Sequence, residues 1–329
     1  MRRRGAAAQG CKGVLSGRRG RSSTTIYVLL LLCASASLRL SAQSFPVYTA
    51  GSLARPFREL LDSFRVAHPG VVPAQVNAGS VDLARRIVDL GQVPDVYATA
   101  DIDVIPRMLV PRAADWYLAF ARNEMVLLHA RSSAGADTID AANWWRLVTA
   151  PGVRVGSSDP ALDPSGYRTL LVFELAERHY QVPGLAARLR AALPARYIRP
   201  SETDLIALVE AGELDYAWSY RSLAVTAGLP YVTLPPEIDL GSPADSALYA
   251  AVSVRVGLRA GTDSMEVRGA PILYGLTIPR SAPHPELARA FVTYVLSLAG
   301  RAILARSGLT PLKHAKAYGR VPGNPPMFQ

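Results

Sequence analysis

Residues 46–99 read PVYTAGSLARPFRELLDSFRVAHPGVVPAQVNAGSVDLARRIVDLGQVPDVYAT. Three short apolar segments in this stretch, at 46–49, 71–76 and 95–99, are predicted as strands. Between them, apolar residues recur at the three- and four-residue spacing of a helix, as in Leu53, Phe57, Leu60, Leu61 and Phe64. Alternating strands and helices are typical of a parallel sheet flanked by helices. The stretch therefore predicts an α/β fold.

The remainder of the chain continues this alternation. Further strands are predicted at 124–129, 153–156, 214–220, 248–256 and 273–278, and further helices at 166–178, from Ser201 to about Gly212, and around Phe291. The 287 residues that follow residue 42 of the 329-residue chain exceed what one core usually organises. We therefore expect two lobes, each a mainly parallel sheet flanked by helices. The first lobe would comprise residues 43–123 and 229–329, and the second residues 124–228.

The N-terminal 42 residues have the composition of a secretory signal peptide. They carry eight basic residues and no acidic one, and an apolar run from Ile26 to Leu32 precedes small residues. A membrane-spanning helix needs about 20 apolar residues, more than this run provides. We expect cleavage after Ala36 or after Ala42 and release of an unanchored protein into the periplasm. Lipid attachment at Cys33 is the less favoured alternative, since Leu32 is a poor residue before a lipidated cysteine.

Removal of this leader narrows the functions that the composition permits. The net charge falls from +10 to +2 without the eight basic residues, so we expect no nucleic-acid partner. Both cysteines, Cys11 and Cys33, lie in the leader, which leaves no thiolate for zinc binding, catalysis or a disulfide. The five histidines show no metal-binding spacing. We therefore expect no resident cofactor.

Three short turns rich in glycine and serine follow predicted strands or extended segments and open predicted helices. They are Ala50-Gly51-Ser52, Ala78-Gly79-Ser80 and Asp163-Pro164-Ser165-Gly166. Each turn offers unpaired backbone N–H groups, a hydroxyl and the positive end of a helix dipole, which together suit an anion. Any one of these serines would also serve as an ordinary helix cap. Because ligands of open α/β sheets bind at the carboxyl ends of strands, the three turns together predict an oxyanion site.

Eight stretches in order along the chain resemble the archaeal-type molybdate/tungstate-binding proteins of ABC importers. They are residues 50–53 (AGSL), 77–81 (NAGSV), 98–101 (ATAD), 114–117 (ADWY), 121–126 (ARNEMV), 163–168 (DPSGYR), 212–216 (GELDY) and 234–240 (LPPEIDL). The resemblance extends from about Tyr48 to Gly308. It implies a class II periplasmic binding protein, in which two α/β lobes joined by hinge strands close on one tetrahedral oxyanion. It also implies a monomer whose partner is an ABC permease at the membrane.

The resemblance further implies which residues bind the anion. The expected contacts are Gly51, Ser52 and Ser80 from the first lobe, and Asp163, Pro164, Ser165, Ser219, Tyr220 and Glu237 from the remainder of the chain. Members of this family bring two carboxylates toward the metal of the bound oxyanion. Asp163 matches one of them and would contact the tungsten or molybdenum atom directly. Ser219 stands where the family pattern has the other, a glutamate.

This departure leaves the ligand open between several anions. A carboxylate beside a dianion is repulsive unless it contacts the metal or is protonated, so Asp163 either faces the metal or only caps the following helix. Sulfate or another four-oxygen anion would be held by hydrogen bonds alone, and protonated phosphate would use Asp163 as an acceptor. A serine hydrolase is the alternative from another class, but the chain has no Gly-x-Ser-x-Gly motif. We therefore expect a binding protein and not an enzyme.

Overall fold

The computed structural model describes residues 43–257 and 264–321. The predicted signal peptide, residues 1–42, lies outside the described residues. These described residues belong to one compact unit.

The elements alternate much as the sequence predicts. In chain order the strands are β1 (Gln43–Ala50), β2 (Val71–Ala78), β3 (Val96–Thr99), β4 (Trp116–Arg122), β5 (Met125–His129), β6 (Val155–Ser158), β7 (Ile198–Arg199), β8 (Tyr216–Tyr220), β9 (Tyr231–Thr233), β10 (Ser253–Gly257), β11 (Ser264–Arg268), β12 (Leu273–Thr277) and β13 (Thr310–Gly319). The α-helices are α1 (Ala54–Ala67), α2 (Ser80–Asp89), α3 (Trp144–Leu147), α4 (Pro164–Tyr180), α5 (Leu185–Ala191), α6 (Thr203–Glu210), α7 (Arg221–Ala227), α8 (Ser246–Tyr249), α9 (Pro285–Leu296) and α10 (Leu298–Arg306).

The strands form two main sheets, and each is the centre of one lobe. The sheet of the first lobe has the order β13-β4-β12-β3-β1-β2, and that of the second lobe has the order β7-β6-β8-β5-β9. Strands β10 and β11 form a separate two-stranded hairpin. Strand β9 pairs with β5, so the second sheet includes residues 231–233, beyond the boundary that we expected at 228.

Both sheets are mixed and not mainly parallel, because the chain passes between the lobes. Strand β1 is parallel to β2 and β3, and β6 is parallel to β7 and β8, so the carboxyl ends of these strands share one edge of each sheet. Strands β5 and β12 enter their sheets from the other lobe and pair antiparallel with β8 and with β3. A strand that enters at the edge where the others end must run opposite to them.

Aromatic side chains fill the cores of both lobes. In the first lobe, the ring of Phe291 on α9 meets the rings of Phe57 and Phe64 on α1 edge to face, with centroids 6.0 and 5.3 Å apart. In the second lobe, the ring of Trp218 on β8 lies 5.2 Å from that of Trp144 and 5.3 Å from that of Phe173. Edge-to-face pairs of this kind stabilise a core beyond the area they bury. These contacts hold the two sheets in place, and the candidate site lies at the edges of those sheets.

One predicted strand is partly wrong. We expected a strand over 248–256, whereas Ser246–Tyr249 is a helical turn and the strand covers Ser253–Gly257. The Tyr249 ring is fully buried and its hydroxyl bonds the Asp239 carboxyl at 3.2 Å, a long-range contact that decides the local conformation against the β propensity of the segment. Within the described parts of the chain, no single helix is long and apolar enough to cross a membrane, and only α9 and α10 together, bent by 64°, pass that test.

Candidate functional site

Serine hydroxyls of the first lobe lie at the carboxyl ends of its parallel strands. Strand β1 runs directly into the helical turn Gly51–Leu53, and β2 leads through Gly79 into α2, whose first residue is Ser80. The Ser52 hydroxyl bonds the Tyr274 hydroxyl at 2.7 Å, and the Ser80 hydroxyl accepts the backbone N–H of Ala100 at 3.0 Å. Both serines are buried. Both predicted serines therefore lie at the edge of the sheet where its parallel strands end.

Asp163 holds the equivalent edge of the second lobe. It caps α4, since its Oδ1 accepts the backbone N–H of Ser165 at 3.1 Å. Its Oδ2 accepts the backbone N–H of Glu202 at 3.1 Å, in the loop that follows β7. The side chain thus has the capping role that the sequence offered as an alternative, and it connects two loops at the same edge.

Two buried hydroxyls near the start of α4 have no hydrogen-bond partner in the protein. These belong to Ser165, in the first turn of α4, and to Ser158, the last residue of β6, whose carbonyl oxygen lies against Gly166. A buried hydroxyl without a partner costs about 1 to 3 kcal/mol of stability. Such atoms bond a partner that the protein itself does not supply, either water or a bound molecule.

Glu202 is a site residue that sequence reasoning missed. Its Oε2 accepts the Ser219 hydroxyl at 3.1 Å and the backbone N–H of Tyr220 at 3.2 Å, and the side chain is only 1% exposed. The Ser52 hydroxyl of the first lobe also acts on this carboxyl and lowers its pKa. Ser219, which stands where the resembling family has a glutamate, therefore contacts a glutamate from the next loop. Because ligand-binding residues of α/β folds follow the carboxyl ends of strands, inspecting the loop after β7 would have identified Glu202.

Asp163 and Glu202 form a buried carboxyl pair. Burial, followed by the neighbouring Asp163 charge, raises the pKa of Glu202 to about 8. Burial also raises the pKa of Asp163 to about 6, although the backbone N–H donors of Ser165 and Glu202 and the charge of Arg168 favour its ionised form. Burial and the proximity of the two carboxyls therefore both favour a protonated form of the pair, which titrates as one coupled unit.

The two lobes contact each other directly beside these residues. The carbonyl oxygen of Leu162 accepts the backbone N–H groups of Val81 and Asp82 at 3.1 and 3.3 Å, at the N-terminus of α2. A Cβ atom on Gly79 would clash with the same carbonyl, and a Cβ on Gly51 would lie 2.8 Å from the Ser201 hydroxyl. Glycine is therefore required at Gly79, where the backbones of the lobes approach closely, whereas the atoms nearest Gly51 belong to the side chains of Ser201 and Thr203. The cleft is closed.

A buried ionic contact lies next to the cleft. The Arg168 guanidinium, from α4, lies 3.3 Å from the Asp101 carboxylate, which follows β3 of the first lobe. Arg168 also donates to the carbonyl of Ala100 at 2.6 Å and to the Tyr220 hydroxyl at 2.7 Å, and the Tyr167 hydroxyl donates to Asp101 at 2.5 Å. These bonds connect the lobes through protein atoms alone.

Asn123 lies where the chain passes from β4 to β5, at the crossing between the lobes. Its amide nitrogen donates to the Ser222 hydroxyl at 2.7 Å and to the Tyr274 hydroxyl at 2.9 Å. Tyr274 in turn bonds Ser52, so the crossing segment connects with the Gly51–Leu53 turn of the first lobe. Asn123 and Tyr274 were not among the predicted contacts, because their position depends on pairing between distant strands.

The other predicted contacts differ in how close they lie to this cluster. Pro164 is buried as the first residue of α4. Tyr220 contributes its backbone N–H to Glu202, while its hydroxyl accepts from Arg168. Glu237 acts on the pKa of Tyr180, at the far end of α4. That helix has 17 residues and spans about 25 Å. The structure therefore does not bring Glu237 to the cluster.

The cluster offers hydroxyl and N–H donors and two carboxyls, but not a metal-ion site. Across residues 43–257 and 264–321, no three side chains of His, Cys, Asp or Glu converge as metal ligands. A free cation would therefore lack a ligand set among the described residues.

Comparisons with known proteins bear on this site. Residues 45–310 match the family described as "Bacterial extracellular solute-binding protein". An uncharacterized solute-binding protein of Petrotoga mobilis is 40% identical over 262 residues, which cover 80% of this chain and 82% of that protein. The molybdate/tungstate-binding protein WtpA of Pyrococcus abyssi is 33% identical over 302 residues, which cover 84% of this chain and 87% of that protein.

A solved structure shares the architecture. The sulfate-binding protein SubI from Mycobacterium tuberculosis H37Rv superimposes with a TM-score of 0.59 over 82% of this chain and 88% of that chain. The sequence identity is 16%, so this likeness concerns the fold alone.

Proposed function

Since this protein belongs to the family of bacterial extracellular solute-binding proteins, we propose that its cleft captures one tetrahedral metal oxyanion, tungstate or molybdate. The observation that carries the proposal is the buried Ser165 hydroxyl, which has no partner in the protein and lies beside the capping Asp163 in a closed cleft. The 33% identity to the Pyrococcus molybdate/tungstate-binding protein supports this choice of ligand and confirms the resemblance found in the motifs.

The donors of the cleft match the charge of such a ligand. A dianion is stabilised by hydroxyl donors at the starts of α2 and α4, where the helix dipoles are positive, while the N–H groups of Val81, Asp82 and Ser165 already bond protein oxygens. Ser52 and Ser80 would supply donors from the first lobe and Ser165 from the second, whereas the predicted contact Ser219 already donates its hydroxyl proton to Glu202. Hydrogen bonds to a charged ligand are about twice as strong as neutral ones, so a few suffice for tight capture.

Closure would provide both affinity and selection. An anion that bridges the lobes favours the closed state over the open one by the bonds that it makes to both. Because main-chain groups at Gly79 and Leu162 already touch in the closed state, the space left for the ligand is fixed. Donors held in place in advance lose little entropy on binding, which favours high affinity.

The physiological role that follows is uptake. We expect the protein to be exported to the periplasm, to act as a monomer, and to deliver the anion to an ABC permease that recognises the closed form. Its family consists of binding proteins, and its serines function here as hydrogen-bond donors and not as nucleophiles.

Isothermal titration calorimetry tests the proposal. The protein without its first 42 residues, which forms one compact unit, would be titrated with tungstate, molybdate, sulfate and phosphate at one pH and one salt concentration. We expect one-to-one binding of tungstate or molybdate, with sulfate and phosphate at least about a hundredfold weaker, which corresponds to about 2.7 kcal/mol. Binding of sulfate or phosphate without the metal oxyanions would keep the cleft but overturn the ligand.

A further inference from the structure

We infer that Tyr274 is a positioning residue of the cleft, which fixes the Ser52 hydroxyl as a hydrogen-bond donor to the bound oxyanion. The orientation of the Tyr274 hydroxyl is set in turn by Asn123, at the crossing between the lobes. The inference deepens the proposed function and rests on it for the presence of an anion at Ser52. The direction of the hydrogen bonds among the three side chains does not depend on the ligand.

The direction begins at the Asn123 amide, whose two ends can be told apart. Its Oδ1 lies 3.0 Å from the backbone nitrogen of Glu124 and 3.3 Å from that of Ser222, and a backbone N–H can only donate. That end is therefore the carbonyl oxygen. The amide nitrogen faces the Ser222 and Tyr274 hydroxyls at 2.7 and 2.9 Å, with one proton for each. The Tyr274 oxygen therefore accepts a hydrogen bond.

The proton of the Tyr274 hydroxyl then has one acceptor. Tyr274 is fully buried, and within the residues that the structure describes its hydroxyl bonds only Asn123 and the Ser52 hydroxyl, which is 2.7 Å away. If Ser52 donated to Tyr274, the phenol proton would be buried without an acceptor, which is strongly unfavourable. Tyr274 therefore donates, and Ser52 accepts.

The Ser52 proton consequently points away from Tyr274 and toward the second lobe. The turn that carries Ser52 approaches that lobe closely, since a Cβ on Gly51 would lie 2.8 Å from the Ser201 hydroxyl. The Ser52 hydroxyl also acts on the Glu202 carboxyl across the cleft. An anion held between the lobes would lie on this side, so Ser52 meets it as a donor.

The ring of Tyr274 is held in place by its neighbours. It packs edge to face against the rings of Phe120 and Tyr220, with centroids 6.3 and 5.8 Å away. Ser80 is oriented in the same sense by a simpler contact, because its hydroxyl accepts the backbone N–H of Ala100 at 3.0 Å. Both serines of the first lobe are thus oriented before the ligand arrives, which limits the entropy that their hydroxyls lose on binding.

The nearly isosteric change Asn123→Asp should reverse the direction of the hydrogen bonds. A carboxylate oxygen only accepts, so Tyr274 would donate to it. When Ser52 then donates to the anion, lone pairs of the Ser52 and Tyr274 oxygens face each other at 2.7 Å. Tyr274→Phe, which keeps the ring, should therefore weaken tungstate binding by about three- to tenfold in wild type and strengthen it by at least about threefold in Asn123→Asp.

Calorimetry with tungstate on wild type, both single variants and the double variant measures this reversal, with Tyr180→Phe as the matched control. The Tyr180 hydroxyl likewise accepts from a side chain, the Trp144 indole, and donates to the Ala141 carbonyl, but it lies at the far end of α4. Its loss should leave the affinity unchanged. Weaker binding on Tyr274→Phe in both backgrounds would show a merely structural role and overturn the inference.

A second combination needs no change at Asn123. If Tyr274 acts through Ser52, Tyr274→Phe should alter the tungstate affinity by less than about twofold once Ser52→Ala is present. Losses that simply add in the double variant would contradict the inference, even if Asn123→Asp does not fold.

Neutron diffraction from ligand-free crystals grown in heavy water separates this inference from the proposed function. The deuteron between the two hydroxyl oxygens should belong to Tyr274. A deuteron on that line that belongs to Ser52 would overturn the inference, whether or not tungstate binds. If the deuteron belongs to Tyr274 but no oxyanion binds in calorimetry, the proposed function fails and the orientation of Ser52 stands.

Discussion

The carboxylate of Asp101 in the first lobe lies 3.3 Å from the guanidinium of Arg168 in the second, and both side chains are buried. Removing one partner of a buried ion pair leaves the other charge unpaired and costs about 3 to 5 kcal/mol. Here the cost applies only to the closed state, because opening the cleft returns Arg168 to water.

We therefore predict that Asp101→Asn shifts the protein toward the open form. Small-angle X-ray scattering should show a larger radius of gyration without ligand, and calorimetry should show tungstate binding weakened by at least about tenfold, since part of the lost energy opposes closure. Asp103→Asn is the matched control, because Asp103 is 55% exposed and its Arg107 partner is 3.7 Å away. An Asp101→Asn protein as compact as wild type would contradict the role of this pair in closure.

Removing the Ser165 hydroxyl, which has no partner in the protein, should affect anion affinity but not the stability of the fold. Ser165→Ala should weaken anion affinity by about 1.5 to 3 kcal/mol and leave the free energy of unfolding unchanged or higher, because the ligand-free protein loses no hydrogen bond. Ser157→Ala should lower the free energy of unfolding and leave the anion affinity unchanged, since Ser157 bonds the Thr169 hydroxyl at 3.3 Å and is not a proposed contact. Calorimetry and urea unfolding of both variants test this crossover. Unchanged affinity in Ser165→Ala would remove Ser165 from the site.

The two serines of the first lobe each take part in a buried hydrogen bond within the protein as well as in the proposed site. Ser52→Ala and Ser80→Ala are each expected to weaken anion binding by about 1.5 to 3 kcal/mol through loss of a donor to a charged ligand. Ser80→Ala should also lower the free energy of unfolding by about 1 to 3 kcal/mol, because it leaves the buried N–H of Ala100 without its acceptor. Unchanged affinity in both variants, measured by calorimetry, would refute the site.

The close approach at Gly79 predicts a variant that cannot close. In Gly79→Ala the added methyl group would meet the Leu162 carbonyl of the other lobe, so the closed state is strained while each lobe remains intact. We expect affinity to fall by at least about tenfold with little change in the far-ultraviolet circular dichroism spectrum. Gly257→Ala is the control, because an added Cβ there meets no atom within 4 Å. Tight binding by Gly79→Ala would show that the lobes can close further apart.

Asp239, near the return crossing between the lobes, predicts a pH-dependent stability. Burial raises the pKa of Asp239 to about 7. A raised pKa means that the folded state holds the proton more tightly, so the stability contributed is full below the unfolded value of about 4 and is lost as the pH rises to about 7. Asp239→Asn should therefore stabilise the protein at pH 8 by up to about 4 kcal/mol and have little effect at acid pH. Thermal unfolding at both pH values, with exposed Asp137→Asn as control, measures this difference. An equal effect at both pH values would contradict it.

Much of the fold follows from local patterns. The order of strands and helices from 46 to 99 and the positions of Ser52 and Ser80 after β1 and β2 were predicted, because helical spacing and glycine–serine turns are local signals. The two-lobed α/β architecture is also confirmed, by solved binding proteins of the same fold as well as by the two sheets. The directions of β5 and β12 were not predictable, since they depend on where the chain crosses between lobes.

Residues recruited by long-range contacts escaped prediction. Glu202 begins no recognisable motif, and its importance becomes visible only when β7 and β8 place it against Ser219. For Glu237 the opposite holds. A family motif suggested that it contacts the ligand, but the fold places it near Tyr180. A motif specifies only which residue types follow each other along the chain. The cluster at the lobe contact is instead formed by segments distant in sequence that meet at the edges of two sheets.

The bonds between Leu162 and the start of α2, and those of Arg168 with Asp101, contain no ligand atom. Part of the free energy of closure is therefore present before any anion arrives. Each additional 1.4 kcal/mol, or about that, in these contacts would raise tenfold both the affinity and the ratio of closed, empty molecules to open ones. A permease that responds to the closed form would then hydrolyse ATP more often on binding proteins that carry no anion. These contacts therefore balance high affinity for a scarce anion against ATP hydrolysis without transport.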